Sequence, residues 1–380
     1  MKYSVLKKLV FFILFTLSIP IASAQTILLS KEAKASVLTC GTGKEVYALF
    51  GHTALRITDI PNGIDLVYNY GAFDFSTSNF ALKFIKGNLQ YFAVVNSYSD
   101  FLANYTYEKR SVYEQELRLS QQQKQQLFDN LNQSLQLENR EYTYKFIDQN
   151  CTSMAVDVIN RSLNATEIVK KGDTDTSYRT ILYPYFNHHF YEQLGTSIIF
   201  GTKTDQAGTA IFLPFELKKS LEHIQLNQAP IVKETKTLLE FEPQPSNSWW
   251  NNPYTYLLFL GIILVLNKKR IDTIYLITIG ILGLVFFILG CYSTHLELAN
   301  NYNILLFNPG LITLVFLAKA KNKKALQYSL WFNILALVVY TALLLNKAHL
   351  WIVAPLIITN GVILVRRYWK YMKYEKRGTI

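Results

Sequence analysis

The balance of polar and apolar residues changes once along the chain, shortly before residue 249. Up to about residue 245 the two kinds are mixed, as in a soluble domain, whereas apolar runs dominate from 249 onward. The mixed segment, at roughly 220 residues, is long enough to bury a core of its own. The pattern therefore predicts a soluble domain over 25–245 and a membrane domain over 249–369.

The membrane domain contains apolar runs over 253–266, 271–291, 304–318, 328–345 and 350–365. Several are shorter than the roughly 20 residues that cross a hydrocarbon core. Flanking aromatic residues, such as Trp249, Trp351 and Trp369, can extend them into the interface. We therefore expect an all-α bundle of about five transmembrane helices.

The charges between these runs predict how the protein is oriented. Lysine and arginine cluster after the first, third and fifth runs, whereas the loop 293–303 has neither and only Lys347 follows the fourth run. Five spans place every basic cluster, including the tail 370–380, on the side that the positive-inside rule assigns to the cytoplasm. The soluble domain and the loop that carries His295 then face outward. Two interpretations of this loop stay open: it forms part of a substrate site, or it is only a hydrated connection.

The N-terminus independently predicts export. A basic start, an apolar stretch over 9–19 and the small residues Ala22-Ser23-Ala24 are typical of a secretory signal peptide over 1–24. An uncleaved first membrane helix is the alternative, and it gives the same exported domain. The formal net charge of +11 does not indicate nucleic-acid binding, because many basic residues flank the apolar runs.

Alternation over 52–59 predicts a strand in the soluble domain, with His52 and Arg56 on one face. Residues 61–63 are typical of a turn, and a returning strand is expected after them. A hairpin about this turn would bring Tyr70 near His52.

A second pattern predicts where a cysteine lies. After an amphipathic helix over 120–137 and a strand-like stretch over 141–147, apolar spacing predicts a helix that begins at Cys151, with Asn150 as its N-cap. The first turn of a helix has free N–H groups and a partial positive charge, which favour a thiolate and can donate to an oxyanion. Cys151 is therefore a candidate nucleophile, and His52 on a neighbouring strand is its candidate base.

Other interpretations of these residues stay open. The chain has three cysteines, and an odd number in an exported protein leaves at least one thiol unpaired. Cys40 and Cys151 could form a disulfide, and Cys291 lies in an apolar run as a packing residue. Taken singly, His52 could be a packed or surface histidine, and Cys151 could be simply buried.

Several segments together resemble a family of exported Bacteroidetes membrane proteins, the Lnb-type lipoprotein N-acyltransferases. In that family a periplasmic domain, formerly of unknown function, precedes C-terminal membrane spans. The most specific matches contain Gly51-His52 and Asn150-Cys151. The matching segments are 40–47, 50–56, 67–75, 148–152, 177–179, 212–214, 293–295 and 301–303.

The order of histidine before cysteine also resembles circularly permuted members of the papain-like NlpC/P60 superfamily, which include lecithin:retinol acyltransferase-like proteins. The resemblance implies an α+β periplasmic domain of permuted papain-like fold and a multi-pass protein of the bacterial cytoplasmic membrane. It also implies that Cys151 is the nucleophile and His52 the base. A third, orienting residue is not settled by any motif. The supporting candidates are Asn150, Tyr70, Asn69, Arg56, Arg179 and His295.

The function that the resemblance implies is acyl transfer. An acyl chain would pass from a phospholipid, through a cysteine thioester, to the α-amino group of a diacylglyceryl lipoprotein, with no metal or soluble cofactor and no nucleic-acid partner. The alternatives are a membrane-anchored cysteine amidase or peptidase acting on peptidoglycan or exported peptides, and a non-enzymatic binding module.

Overall fold

The computed structural model describes residues 27–242, 248–320 and 322–377. The predicted signal peptide over 1–24, and the last residues of the predicted basic tail, lie outside the described residues. Within this range a mixed α and β domain is followed by a helical region, which confirms the predicted division into two classes of structure.

An antiparallel sheet of seven strands forms the framework of the first domain. Its spatial order is β6-β4-β3-β2-β1-β5-β9, and β7 and β8 form a separate small hairpin. The strands are β1 Lys34–Cys40, β2 His52–Asp59, β3 Ile64–Ala72, β4 Gln90–Ser97, β5 Val112–Leu117, β6 Glu141–Thr143, β7 Gln225–Leu226, β8 Ala229–Pro230 and β9 Val232–Leu239. The helices are α1 Phe80–Lys86, α2 Tyr98–Tyr107, α3 Gln121–Gln133, α4 Cys151–Leu163, α5 Tyr178–Leu182, α6 Phe190–Ile199 and α7 Pro214–His223.

The predicted hairpin at the centre of the sheet is confirmed. Strands β2 and β3 pair through a turn that ends at Gly63, whose φ of +65° suits a residue without a side chain. The register places Ala54 opposite Asn69. The end of the hairpin that carries His52 is therefore also the end where β3 finishes and β4 begins.

Two predicted elements are shorter than expected. Helix α3 ends at Gln133, and its C-cap Ser134 donates its hydroxyl to the carbonyl of Leu131. The strand predicted over 141–147 covers only β6, whose residues pair with the first residues of β4.

Both faces of the sheet are covered. Helices α3 and α4 pack on one face through a large apolar core that includes Leu55, Leu131 and Ile159. Helix α2 covers the other face through a smaller cluster with Phe101 and Tyr105. Because α4 begins at Cys151, this packing brings the cysteine to the His52 end of the sheet.

The helical region contains α8 Pro253–Leu266, α9 Lys269–Tyr292, α10 Gly310–Leu317, α11 Lys323–Leu344 and α12 Leu350–Arg377. In the described part, three helices are long and apolar enough to cross a membrane, namely α9, α11 and most of α12. Helix α8 has 14 residues and α10 only 8, which gives lengths of about 21 and 12 Å against a core of about 30 Å. The third apolar run is broken by a 3-10 turn over Tyr302–Leu305 and by Pro309, so crossing by five helices stays a prediction.

The loop between α9 and α10 lies against the first domain, on the side that the charge pattern predicts. Side-chain amides of Asn301 and Asn303 donate to the last carbonyls of α6, which have no partners within that helix. Arg179 donates to carbonyls in the same region and pairs with Asp205 at 2.7 Å. Asp205 in turn accepts from the Tyr302 hydroxyl at 2.6 Å. These buried polar contacts fix the first domain onto the membrane helices.

We expect Asp205→Ala to destabilise the protein by about 3–5 kcal/mol, because it leaves the buried Arg179 guanidinium without its carboxylate. Equilibrium chemical unfolding of the full chain in micelles measures this change. Glu222→Ala is the matched control, because Glu222 pairs with Lys218 at the exposed surface of α7, and we expect little effect. Equal stabilities for the two variants would contradict the proposed importance of the buried pair.

Candidate active site

A buried contact between two hydroxyls helps to join the two elements that carry the candidate catalytic residues. The hydroxyls of Thr53 on β2 and Thr152 on α4 lie 2.9 Å apart, and both residues are fully buried. Their neighbours in sequence are His52 and Cys151. The contact therefore holds the first residue of the strand beside the first residue of the helix.

Asn150 forms the predicted N-cap of α4. Its side-chain oxygen accepts from the N–H groups of Thr152 and Ser153, and the Ser153 hydroxyl accepts from the N–H of Asn150. The Asn150 amide also donates to the carbonyls of Phe146 and Phe212. The cap does not use the N–H of Cys151, which is one of the N–H groups at the start of the helix that have no partner within it.

The surroundings of Cys151 favour its ionised form. Burial alone would raise the pKa of this thiol, but the nearby His52 imidazole, the Thr53 N–H and the Thr152 hydroxyl together lower it below its ordinary value. Among the groups that lower the pKa of Cys151, His52 has the largest effect, through its charge. The side chain of Cys151 is partly buried, so the sulfur is shielded without being enclosed.

Asn69 orients the histidine. The His52 Nε2 lies 3.2 Å from the Asn69 side-chain oxygen, while the Asn69 amide donates to the Val67 carbonyl and to the Asn96 oxygen. These two donations identify the Asn69 oxygen as the acceptor, so His52 carries a hydrogen on Nε2. The Nδ1 atom is then the ring nitrogen left for Cys151, as in a cysteine–histidine–asparagine arrangement.

Two glycines adjoin the candidate catalytic residues, where a side chain would be strained or crowded. At Gly71 φ is +106°, and a Cβ there would lie 3.7 Å from the Cys151 Cβ. At Gly51 φ is +78°, and a Cβ would lie 2.5 Å from the carbonyl oxygen of Cys40. The chain therefore reaches His52 through a turn that only glycine adopts without strain.

Tyr142 is a residue that the sequence patterns did not identify. Its hydroxyl is buried, and it has no hydrogen-bond partner among the residues that the structure describes. A Cβ on Gly71 would lie 3.9 Å from this hydroxyl as well as close to Cys151. Burial, and then the charge of Cys151, raise the pKa of Tyr142, so it remains a proton donor at neutral pH.

The structure places two other candidates beside the site but gives them different partners. The Tyr70 hydroxyl donates to Ser134 at 3.0 Å, on the side of α3. Arg56 forms ion pairs with Asp65 and Glu114 and stacks over the Tyr98 ring at 3.2 Å. Neither side chain is directed at the Cys151 sulfur, so both support the sheet.

Arg179 and His295 lie at the boundary with the membrane helices. Arg179 is the buried partner of Asp205. His295 is buried too, and its Nε2 donates to the Phe84 carbonyl at 3.0 Å. Burial lowers the pKa of His295, which keeps the imidazole neutral in this contact. Both residues bind segments of the chain together.

The disulfide alternative is wrong for this structure, because Cys40, Cys151 and Cys291 are all free. Cys291 is exposed at the end of α9, which differs from the expected packing role. Cys40 is fully buried, and burial raises its pKa to about 12. Cys151 is therefore the thiol of the first domain with a lowered pKa.

The arrangement can perform nucleophilic acyl chemistry. It combines a thiol of lowered pKa, an oriented imidazole, and two donors, the Cys151 N–H and the Tyr142 hydroxyl, that can face an oxyanion. Within the described ranges, histidine, cysteine, aspartate and glutamate side chains form no group of three or more placed to hold a metal ion.

Comparison with known proteins gives two family matches. A model of the Lnb N-terminal periplasmic domain matches residues 25–183, and a model of the Lnb transmembrane domain matches residues 245–377. Both His52 and Cys151 lie in the first matched segment. Neither a curated protein nor a solved structure matches the chain.

We expect His52→Gln to raise the pH at which Cys151 becomes reactive. Burial raises the pKa of this thiol, and the variant removes the imidazole that opposes this effect. The measurement is the rate of iodoacetamide labelling against pH, resolved by peptide mass spectrometry. His223→Gln changes an exposed histidine that contacts a helix carbonyl, and it should leave the profile unchanged. An unshifted profile in His52→Gln would show that the imidazole does not activate this thiol.

Proposed function

The chain belongs to the Lnb family, and on that premise we propose that it is a lipoprotein N-acyltransferase. The acyl donor is a membrane phospholipid, and the acceptor is the α-amino group of a diacylglyceryl lipoprotein. The observation that carries the proposal is the contact of His52 with Cys151 at the start of α4, in a domain fixed onto membrane helices. We further propose that five helices cross the bacterial cytoplasmic membrane and that the fold is a permuted papain-like one.

The first half of the reaction forms an acyl-enzyme. The Cys151 thiolate attacks the ester carbonyl carbon of the phospholipid and forms a tetrahedral oxyanion. As this collapses, the carbon–oxygen bond breaks and the protonated His52 gives its proton to the leaving glycerol oxygen. The products are a thioester on Cys151 and a lysophospholipid.

The second half transfers the chain to the lipoprotein. The neutral α-amino group of the N-terminal cysteine attacks the thioester carbonyl, and His52 accepts a proton from this amine. The carbon–sulfur bond then breaks, which releases an amide and restores the Cys151 thiolate. Asn69 keeps the imidazole in the orientation needed in both halves by accepting from Nε2.

The oxyanion of both tetrahedral intermediates needs hydrogen-bond donors. The Cys151 N–H lies at the positive end of α4, and the Tyr142 hydroxyl lies across the space left by Gly71. A buried hydroxyl without a partner is costly in the resting protein, and a developing negative charge would satisfy it. The ring of Tyr142 packs in the apolar core, and we assign its hydroxyl to the intermediate.

A membrane location supplies the geometry that this reaction requires. Both substrates are lipids, so their reactive groups lie at the membrane surface. A domain fixed there meets them at a high effective concentration. The buried contacts of Asn301, Asn303 and Tyr302 with the first domain support this role.

We expect Cys151→Ser and His52→Ala to abolish N-acylation of lipoproteins in cells that lack other N-acyltransferases. Mass spectrometry of lipoprotein N-terminal peptides measures the product. Cys291→Ser is the matched control, since this exposed thiol lies outside the site, and it should retain activity. Full N-acylation by Cys151→Ser would refute the assignment, and altered muropeptides with normal lipoproteins would instead indicate an amidase.

Tyr142→Phe should lower the rate constant of acylation by about 100-fold, the scale of losing one oxyanion donor. The thiol reactivity profile of Cys151 should stay unchanged, because the loss affects the intermediate and not the nucleophile. Tyr70→Phe is the matched control, because this buried hydroxyl bonds Ser134, and we expect nearly full activity. The measurement is single-turnover acylation by phospholipid vesicles, and equal rates for both variants would remove Tyr142 from the mechanism.

A further inference from the structure

Helix α1 exposes large apolar side chains in the first domain. Leu82 is 61% exposed, and Phe84 and Ile85 are also exposed, as is Phe75 in the segment that leads into the helix. No residue of α1 is buried. A seven-residue helix with this composition is not explained by packing within the chain.

Hydrogen bonds fix the end of α1 to the outer end of the long helix α9. The Ser293 hydroxyl donates to the Ile85 carbonyl, and the N–H of Thr294 donates to the Lys86 carbonyl. The Lys86 ammonium lies 5.5 Å from the centre of the Tyr292 ring, at the last residue of α9. Since α9 is long and apolar enough to cross a membrane, α1 lies at the level where that crossing ends.

The charge of α1 suits a phospholipid surface. Its sequence contains Lys83 and Lys86 but no acidic residue, and both lysines lie in its last turn. Lysine stems can lie along an apolar surface while the ammonium groups contact phosphates. An apolar helix with basic residues is typical of an element that lies at the membrane interface.

A path of aromatic side chains leads from α1 to the candidate nucleophile. Phe80, the first residue of α1, packs against Phe73 at 5.8 Å between ring centres, and Phe73 also contacts the exposed Tyr47. Phe73 lies two residues after Gly71, which adjoins Cys151. Phe73, Phe80 and Cys151 are partly buried side chains that pack against the same apolar core, so this route from α1 to the cysteine is lined by apolar groups.

We propose that α1 and the preceding Phe75 insert into the outer leaflet of the phospholipid bilayer and form the entry for the acyl chain. The entry role rests on the proposed acyltransferase function, whereas the insertion itself does not. Leu82, Phe84 and Ile85 lie among the acyl chains, and Lys83 lies among the phosphates. The bilayer is thus the partner that covers this surface.

Nitroxide accessibility tests the insertion without requiring catalysis. The full chain carries a spin label at Leu82→Cys, with Cys151→Ser and Cys291→Ser to remove reactive thiols, while Cys40 is buried. The protein is placed in vesicles of phosphatidylethanolamine and phosphatidylglycerol. Ile60→Cys is the matched control, because this exposed isoleucine lies at the opposite end of the hairpin that begins with His52.

We expect the label at residue 82 to collide with oxygen, which partitions into the bilayer, and to be protected from a water-soluble nickel chelate. The label at residue 60 should be accessible to nickel. Equal access of nickel to both positions would overturn the proposal. Protection from both reagents with spin–spin broadening would also overturn it, because a second copy of the chain would then cover α1.

A kinetic measurement tests the entry role separately. Leu82→Asn combined with Ile85→Asn should raise the apparent KM for phospholipid about ten-fold, the change expected from losing part of the burial of two apolar side chains. The rate of Cys151 alkylation by iodoacetamide should not change, and Ile60→Asn should leave the KM unaltered. An unchanged KM in the double variant would overturn the entry role, even where the label shows insertion.

Discussion

The contact between the Thr53 and Thr152 hydroxyls is the constraint on which the site depends. The histidine and the cysteine come from segments a hundred residues apart, and neither segment fixes the other by local structure. The threonine pair joins the first turn of α4 to the first residues of β2, and the Asn150 cap then determines where that turn begins. With the strand and the helix joined at this point, His52 and Cys151 have little freedom to separate.

The membrane helices take part in positioning the same segment. The carboxylate of Glu297, in the loop after α9, accepts from the N–H of Ile147, which lies four residues before Cys151. In addition, Lys145 donates to Gly87 and to Thr294, so one ammonium joins the end of α1, the outer loop and the approach to α4. The outer loop thus acts as a support for the strand-to-helix connection, which explains why its histidine binds backbone instead of facing the sulfur.

Local patterns were sufficient for part of this structure. Alternation and a turn signal predicted the hairpin, and apolar spacing after an asparagine predicted the N-cap and the position of Cys151. The choice between Asn69 and Tyr70 as partner of His52 required the register of β3, which a period of two residues does not determine.

Tyr142 could not be found from local patterns, because it reaches the site through the pairing of β6 with β4, strands about fifty residues apart. Hydropathy likewise merged residues 304–318 into one run, although a 3-10 turn ends at Leu305 and a separate helix begins at Gly310, after its N-cap Pro309.

The two thiols of the first domain show why a position near His52 is not sufficient for reactivity. Cys40 is the direct strand partner of His52, yet its sulfur is fully buried with Tyr105 as its hydrogen-bond partner, and its pKa is raised to about 12. Cys151 has the start of a helix, a backbone N–H and the imidazole around it, and its pKa is lowered. Because disulfide formation requires a thiolate as attacking group, a Cys40 held as the neutral thiol does not attack an oxidised Cys151. In an exported domain, where thiols tend to oxidise, this difference disfavours attack by Cys40 and thus a bridge formed from its side.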